Sequence, residues 1–238
     1  MEVSLQLYSI NSETSKDFKK AVEEVSKIGY KGVEFAGYGG LSADQVKELL
    51  AQNNLYSVGS HCGIQDFEVN FSEILNFNQS IDSKYIICPW AKVDTMEDVD
   101  HLVQVLNKCG DIAAGENIKV GYHNHDHEFV TINGTYALDL IAEKTNGNVI
   151  LELDIFWVLY AGIDPIEYIK KWGKKVELIH IKQIDDKKAN VDVADGIIDM
   201  KKVKEAAQYT KYFIVEHEEF DKPMWDCIRN DCEYLKQI

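Results

Sequence analysis

Val149-Ile150-Leu151-Glu152-Leu153-Asp154 is the stretch on which the reading of this chain turns. A short apolar run of this kind reads as a buried strand. It stops on a carboxylate, a group that is expensive to bury unless it is paired. The same event recurs on both sides. Val176-Glu177-Leu178-Ile179 runs into His180, and Phe213-Ile214-Val215 runs into Glu216. Ile118-Lys119-Val120-Gly121-Tyr122 runs into His123-Asn124-His125-Asp126-His127-Glu128. The C-terminal ends of parallel strands are where an α/β barrel builds its site. Neighbouring strands that deliver three carboxylates and an imidazole to one rim make a divalent-metal site.

Working outward, strands and helices alternate along the whole chain. Strands are expected at Val3–Tyr8, Gly32–Ala36, Leu55–Ser60, Lys84–Pro89, Ile118–His123, Val149–Asp154, Val176–Lys182 and Tyr212–Glu216. Helical spacing fills the intervals. Phe18, Val22, Val25 and Ile28 follow Ser15 as the expected cap, Ser42 caps the next helix, and Thr95 opens a long one. Further helices are expected near 71–81, 136–144, from Pro165, 199–208 and from Met224. Eight β-then-α units favour a (β/α)8 barrel as a single domain, 1–238. An open doubly wound sheet would want a Gly-rich turn after its first strand. Here that turn reads Ser9-Ile10-Asn11-Ser12-Glu13.

Composition narrows the partners. The chain has 238 residues, 45% hydrophobic, 27% charged, with a formal net charge of −15. Nucleic-acid binders usually carry a basic face, so a polyanionic partner is not expected. Arg229 is the one arginine, which removes bidentate Arg clamps on phosphate. No apolar run approaches the ~20 residues that span a bilayer, and no signal-like segment precedes the first strand. Cys62, Cys88, Cys109, Cys227 and Cys232 are odd in number and scattered. Reduced thiols and a cytoplasmic location are expected.

Taken singly, each candidate residue has a plain structural reading. Asp154 suits a helix cap, His180 a core histidine bonded to a carbonyl, and Glu216 an acidic turn with His217-Glu218-Glu219. The His-rich segment after strand five suits adventitious metal binding, and it lacks the HExxH spacing of zinc proteases. Their recurrence on consecutive strands is harder to explain by packing. Lys182 shares the face of His180, because side chains alternate along a strand. His61 ends strand three, and Gln6 and Glu34 are polar groups inside strands one and two that need partners. Tyr8, Trp90 and Trp157 form a candidate wall for a sugar ring. Oxygen ligands with one imidazole suit Mn²⁺, Mg²⁺ or Co²⁺, with Zn²⁺ also acceptable.

At these residues the chain resembles the xylose isomerase-like TIM-barrel superfamily, in its sugar phosphate isomerase/epimerase branch. The matching pieces are Gln6-Leu7-Tyr8-Ser9, Gly29-Tyr30-Lys31-Gly32-Val33-Glu34, Gly121-Tyr122-His123-Asn124-His125, Leu153-Asp154 with Trp157, His180-Ile181-Lys182, Val215-Glu216-His217 and Gly196-Ile197-Ile198-Asp199. The resemblance implies one divalent ion held by a Glu, Asp, His, Glu quartet. Carried over, these are Glu128, Asp154, His180 and Glu216. Many relatives place the first glutamate where this chain has His123, so His123 or His125 stands as substitute ligand or substrate contact.

The resemblance also implies an enzyme acting on a carbohydrate. Its first step is proton abstraction beside a metal-polarised carbonyl. Glu216 is the expected base with Glu128 opposite. Lys182 and His61 orient enediolate oxygens, and Gln6, His123, His125 and Trp157 join them around the substrate. Isomerisation or epimerisation is the first expectation, and dehydration of a keto-sugar or inosose its alternative. An apurinic endonuclease is disfavoured by the charge, and a non-catalytic sugar-binding barrel by the ligand residues. A homo-oligomer, one copy covering the mouth of the next, is left open.

Overall fold

Eight parallel strands pair in sequence order and close on themselves: β1 Ser4–Gln6, β2 Gly32–Phe35, β3 Tyr56–His61, β4 Tyr85–Cys88, β5 Lys119–His123, β6 Val149–Asp154, β7 Val176–Ile181 and β8 Tyr212–Val215. β1 pairs with β8 through Leu5 and Val215, which shuts the ring. This computed structural model describes residues 2–238. Met1, the first residue of the expected domain, lies outside the described residues.

The strand expectations hold to within a residue or two, except that the first is shorter. After Gln6 the backbone turns into a 3-10 segment, Leu7–Ile10, because Gln6 Oε1 accepts the N–H of Tyr8 at 3.0 Å. Ser15 does not cap the first long helix. Asp17 does, accepting from Lys20 N–H, and the helix runs Phe18–Ile28. Ser42 and Thr95 cap as expected, each in a reciprocal capping box. Short helices at Ile64–Val69 and Ile155–Tyr160 were not foreseen. The polar stretch after β7 holds a small hairpin, Gln183–Ile184 with Asn190–Val191.

Period-two alternation layers the barrel interior. Val58, Tyr85, Ile87, Ile150, Leu178 and Ile214 pack as one apolar cluster inside the ring, apart from the larger core between strands and helices. Two residues further on, the same strands carry Glu152, His180 and Glu216 into the interior. Gly121 faces the apolar layer, where a Cβ would sit 2.5 Å from Ile87 Cδ1 and 2.7 Å from Ile150 Cδ1. A glycine there lets the ring close and sets His123 in the next layer up. Register shifts between Val33 and Glu34 and between Leu151 and Glu152. Such irregularities re-aim side chains, and here each precedes a glutamate with no exposed surface.

Candidate active site

The polar layer begins with Glu34 and Glu152. Glu34 Oε2 accepts from Gln6 Nε2 at 2.8 Å and lies 2.8 Å from His180 Nε2 and 3.2 Å from His61 Nε2. Glu152 Oε2 lies 2.7 Å from His61 Nε2 and 3.3 Å from His180 Nε2. The His61 and His180 rings are stacked, with centroids 5.5 Å apart. Buried charge is tolerated only where it is paired, and these groups pair with one another.

Above them, His123, Asp154, His180 and Glu216 each offer one ligand atom, and all four atoms lie within 4.8 Å of one another. Each is buried. Asp154 ends β6 and caps the helix Ile155–Tyr160: its Oδ1 accepts from the N–H groups of Phe156 at 2.8 Å and Trp157 at 3.1 Å. Its backbone N–H donates to Asn124 Oδ1 at 3.1 Å, tying the ends of β5 and β6 together. Asp154 Oδ2 and His123 Nδ1 are buried with no hydrogen-bond partner. Orphaned buried polar atoms are rare in folded proteins, and two of them on one four-donor set fit a divalent ion. A second combination, His61, His123, Glu152 and His180, shares two of these residues. Glu152 Oε1 is orphaned there too, but its Oε2 already holds His61, whereas Asp154 Oδ1 is spent only on backbone N–H groups, which makes the first set the better seat.

Electrostatics divides the groups by role. Burial presses the His61 imidazole toward neutrality, but Glu34 and Glu152 outweigh it and push its pKa up to about 10. His180 is raised in the same way, against burial, by Glu152 and Glu216. Burial opposes ionisation of Glu216 too, yet His180, then Lys182, hold it well below the usual carboxylate range. Asp154 goes the other way. Burial, with Glu216 beside it, pushes it up to about 7 despite the pull of Lys182. His125 is lowered to about 3 by burial and by His123.

The structure brings together most of the residues singled out from sequence; Glu128 and Gln6 stand apart. Glu128 is not in the ligand group. Its Oε1 accepts from Tyr122 OH at 2.6 Å, and its Oε2 accepts from His125 N–H at 2.8 Å. Tyr122 lies between inward-facing Gly121 and His123, so alternation points its ring out of the barrel. Glu128 follows it there, behind β5, and His123 occupies the position expected of the glutamate. Glu152 was missed, because it is embedded in an apolar run. Only the in-register spacing to Asp154, two residues on, signals that it too faces inward.

The mouth continues the site. A cavity of about 500 Å³ is lined by Tyr8, His61, Trp90, His123, His125 and Glu216, among others. Beside it, sharing Tyr8 and Glu218, another of about 510 Å³ is lined by Phe156, Trp157 and Lys182. Lys182 Nζ pairs with Glu218 and sits 4.8 Å from the Trp157 ring centroid and 4.9 Å from that of Phe156. His125 packs on Trp157, centroids 5.5 Å apart. Gln6 lies below the ligand group, donating to Glu34 and accepting from the N–H of Tyr8.

With this geometry in view, the chain belongs to the xylose isomerase-like TIM barrel family, whose model matches residues 22–238. An inosose dehydratase of Clostridium botulinum is 24% identical over 191 residues, covering 70% of this chain and 63% of that protein. The chain thus spans under two thirds of the length of that curated relative. A sugar phosphate isomerase/epimerase from Parabacteroides distasonis superposes with a TM-score of 0.86 at 19% identity, over 98% of this chain and 93% of the other. The IolI protein, solved with a bound zinc atom, superposes at 0.80 with 18% identity, over 100% and 97%. Both likenesses establish the fold. Among the described residues no helix is long and apolar enough to cross a membrane.

Proposed function

We propose that this chain is a divalent-metal-dependent dehydratase of a keto-polyol of the inosose kind. The observation that carries the reading is Glu216 and His61 on the walls of one cavity, the carboxylate beside His180 and the imidazole paired with Glu34 and Glu152. Isomerisation and epimerisation need a base and a returning proton. Dehydration needs in addition a donor for a departing hydroxyl, and His61 supplies one. The curated relatives support dehydration over the isomerase or epimerase that sequence put first.

His123, Asp154, His180 and Glu216 would hold the ion. Two imidazoles with two carboxylates suit Zn²⁺, Co²⁺ or Mn²⁺ better than Mg²⁺. A divalent ion there supplies electrophilic polarisation of the substrate carbonyl. The free oxygen of Glu216 takes the proton from the carbon beside that carbonyl. The C–H electron pair becomes a C=C bond, and the hydroxyl on the next carbon leaves with its bonding pair. His61 protonates it, so the leaving molecule is water, and proton return from Glu216 to His61 closes the cycle. An enol remains and tautomerises to a 1,2-diketone. Glu34 and Glu152 keep the His61 ring in place. Lys182 orients a substrate oxygen, and Trp157, Tyr8 and Trp90 wall the ring.

The test is to strip the protein with EDTA, restore Zn²⁺, Co²⁺ or Mn²⁺ separately, and add an inosose. Metal-dependent loss of one water per substrate, seen by mass and by diketone absorbance, is the expected result. Solvent deuterium entering recovered substrate or a stereoisomer, without loss of water, would assign an isomerase or epimerase instead. Deuterium exchange that survives Glu216→Gln would remove Glu216 as the base.

A further inference from the structure

We propose that Asp192, His217 and Cys227 form a second divalent-metal site, of zinc-type donor chemistry, outside the barrel. It would join the segment after the Asn190–Val191 strand, the turn after β8 and the C-terminal helix Met224–Lys236. The three residues are 3%, 1% and 0% exposed. One ligand atom from each lies within 4.8 Å of the others. Tetrahedral bonds of ~2.0–2.3 Å place two ligand atoms about 3.5 Å apart. Closing on an ion therefore requires movements of at most about 1 Å.

What marks the group is how its members are held. His217 Nδ1 is 2.9 Å from Asp231 Oδ2, and Asp231 Oδ1 is fixed by the N–H of Val193 at 2.6 Å. A carboxylate on the far nitrogen of an imidazole is the arrangement that orients a metal-ligating histidine. It sets the proton on Nδ1 and aims the Nε2 lone pair into the group. Nε2 is buried without a hydrogen-bond partner. Asp192 is held likewise: its Oδ2 accepts from Lys222 Nζ and from Asn230 Nδ2, each at 2.9 Å. Its Oδ1 is buried with no N–H or O–H partner, and the Cys227 thiol lies beside the carboxylate. A single S–H cannot serve both of these acceptors, His217 Nε2 and Asp192 Oδ1. A cation serves both and takes the thiolate as third ligand. Water fills the fourth position.

The site is separate from the barrel mouth. Glu216 faces the mouth, whereas His217 stacks on Phe220 with centroids 4.7 Å apart and leans on Asp231. A cation there would pin the strap Glu218–Glu219, whose N–H groups both reach Asn190 Oδ1. Glu218 is the residue that pairs with Lys182.

Cobalt distinguishes the two sites, because a thiolate ligand gives a near-ultraviolet charge-transfer band and a nitrogen–oxygen set does not. Metal-free full-length protein is titrated with Co²⁺ while the band and bound metal are followed. Two equivalents per chain are expected, one of them raising the band. Cys227→Ser and Asp192→Asn should each remove the band and one equivalent, and Asp154→Asn should remove one equivalent and keep the band. Thermal melts of the variants confirm that they are folded. The proposal is overturned if wild-type protein shows no band at saturating Co²⁺. It is equally overturned if the band survives Cys227→Ser or disappears in Asp154→Asn.

Discussion

Glu152 Oε2 lies 2.7 Å from His61 Nε2, and the same oxygen is 3.3 Å from His180 Nε2. One carboxylate in the middle of β6 therefore holds imidazoles from β3 and β7. It is kept ionised, against burial, by His180 and His61. Because Glu34 leans on the same two rings, the polar layer is one charge-balanced unit, and its members cannot be removed independently.

Glu152→Gln keeps the shape and removes the charge. A buried ion pair deprived of one partner costs about 3–5 kcal/mol. Since the amide can still hydrogen-bond, the metal-free protein should lose about 3 kcal/mol, at the low end. Urea unfolding of EDTA-treated wild type and variant measures it. Equal midpoints and slopes would mean that Glu152 does not support the two histidines.

Asp154→Asn separates cap from ligand. The amide oxygen still accepts from the N–H groups of Phe156 and Trp157, so stability of the metal-free chain should change by less than the ~1 kcal/mol typical of a lost cap. Affinity for Zn²⁺ at the barrel site should fall by more than the roughly 10- to 100-fold that follows loss of a ligand's supporting partner. Competition with a chromogenic chelator reads the affinity. A variant that binds as tightly as wild type would show that Asp154 is a cap and nothing more.

Glu128→Gln tests where the sequence and the geometry part. The glutamine oxygen can accept from His125 N–H while its amide N–H donates to Tyr122 OH, and in the structure Glu128 stands behind β5. Zn²⁺ stoichiometry should stay at the wild-type value, while His123→Ala should lose the barrel equivalent. Elemental analysis after gel filtration decides. Loss of metal from Glu128→Gln would place that carboxylate on the ion.

The strands were legible because apolar runs, their spacing and their polar stops are local features. Asp154, His180 and Glu216 were legible for the same reason, each being the first chemistry after an apolar run. Glu152 was hidden because an inward glutamate between Leu151 and Leu153 looks like a strand interior until its partners are known. That His123, and not Glu128, stands with Asp154, His180 and Glu216 depends on which way β5 faces, and Gly121 sets that by letting Ile87 and Ile150 close over it. Ser15 was a misplaced cap because Asp17 offers the same oxygen two residues later. The Asp192–His217–Cys227 group joins three distant segments, and no sequence spacing announces it.

Acidity should act in opposite senses on the metal-free and metal-loaded protein. The folded pKa of His61 is raised, so its contribution to stability is complete below about 6.5 and is lost as pH rises through about 10. The folded pKa of Asp154 is also raised, so stability is lost as pH climbs from about 3.9 through about 7. Glu152 and Glu216 are depressed, so their contribution is present above about 4.3 and lost as pH falls. The EDTA-treated protein should then be most stable in mild acid, with its Tm falling steadily from pH 6 to pH 9. Metal competes with protons for Asp154 and for the His180 imidazole, whose pKa is also raised, so its stabilising effect grows over that interval. The gap between loaded and stripped Tm should widen from pH 6 to pH 9, and scanning calorimetry at fixed free Zn²⁺ measures it. A constant or narrowing gap would mean that the ion does not sit on these titrating groups.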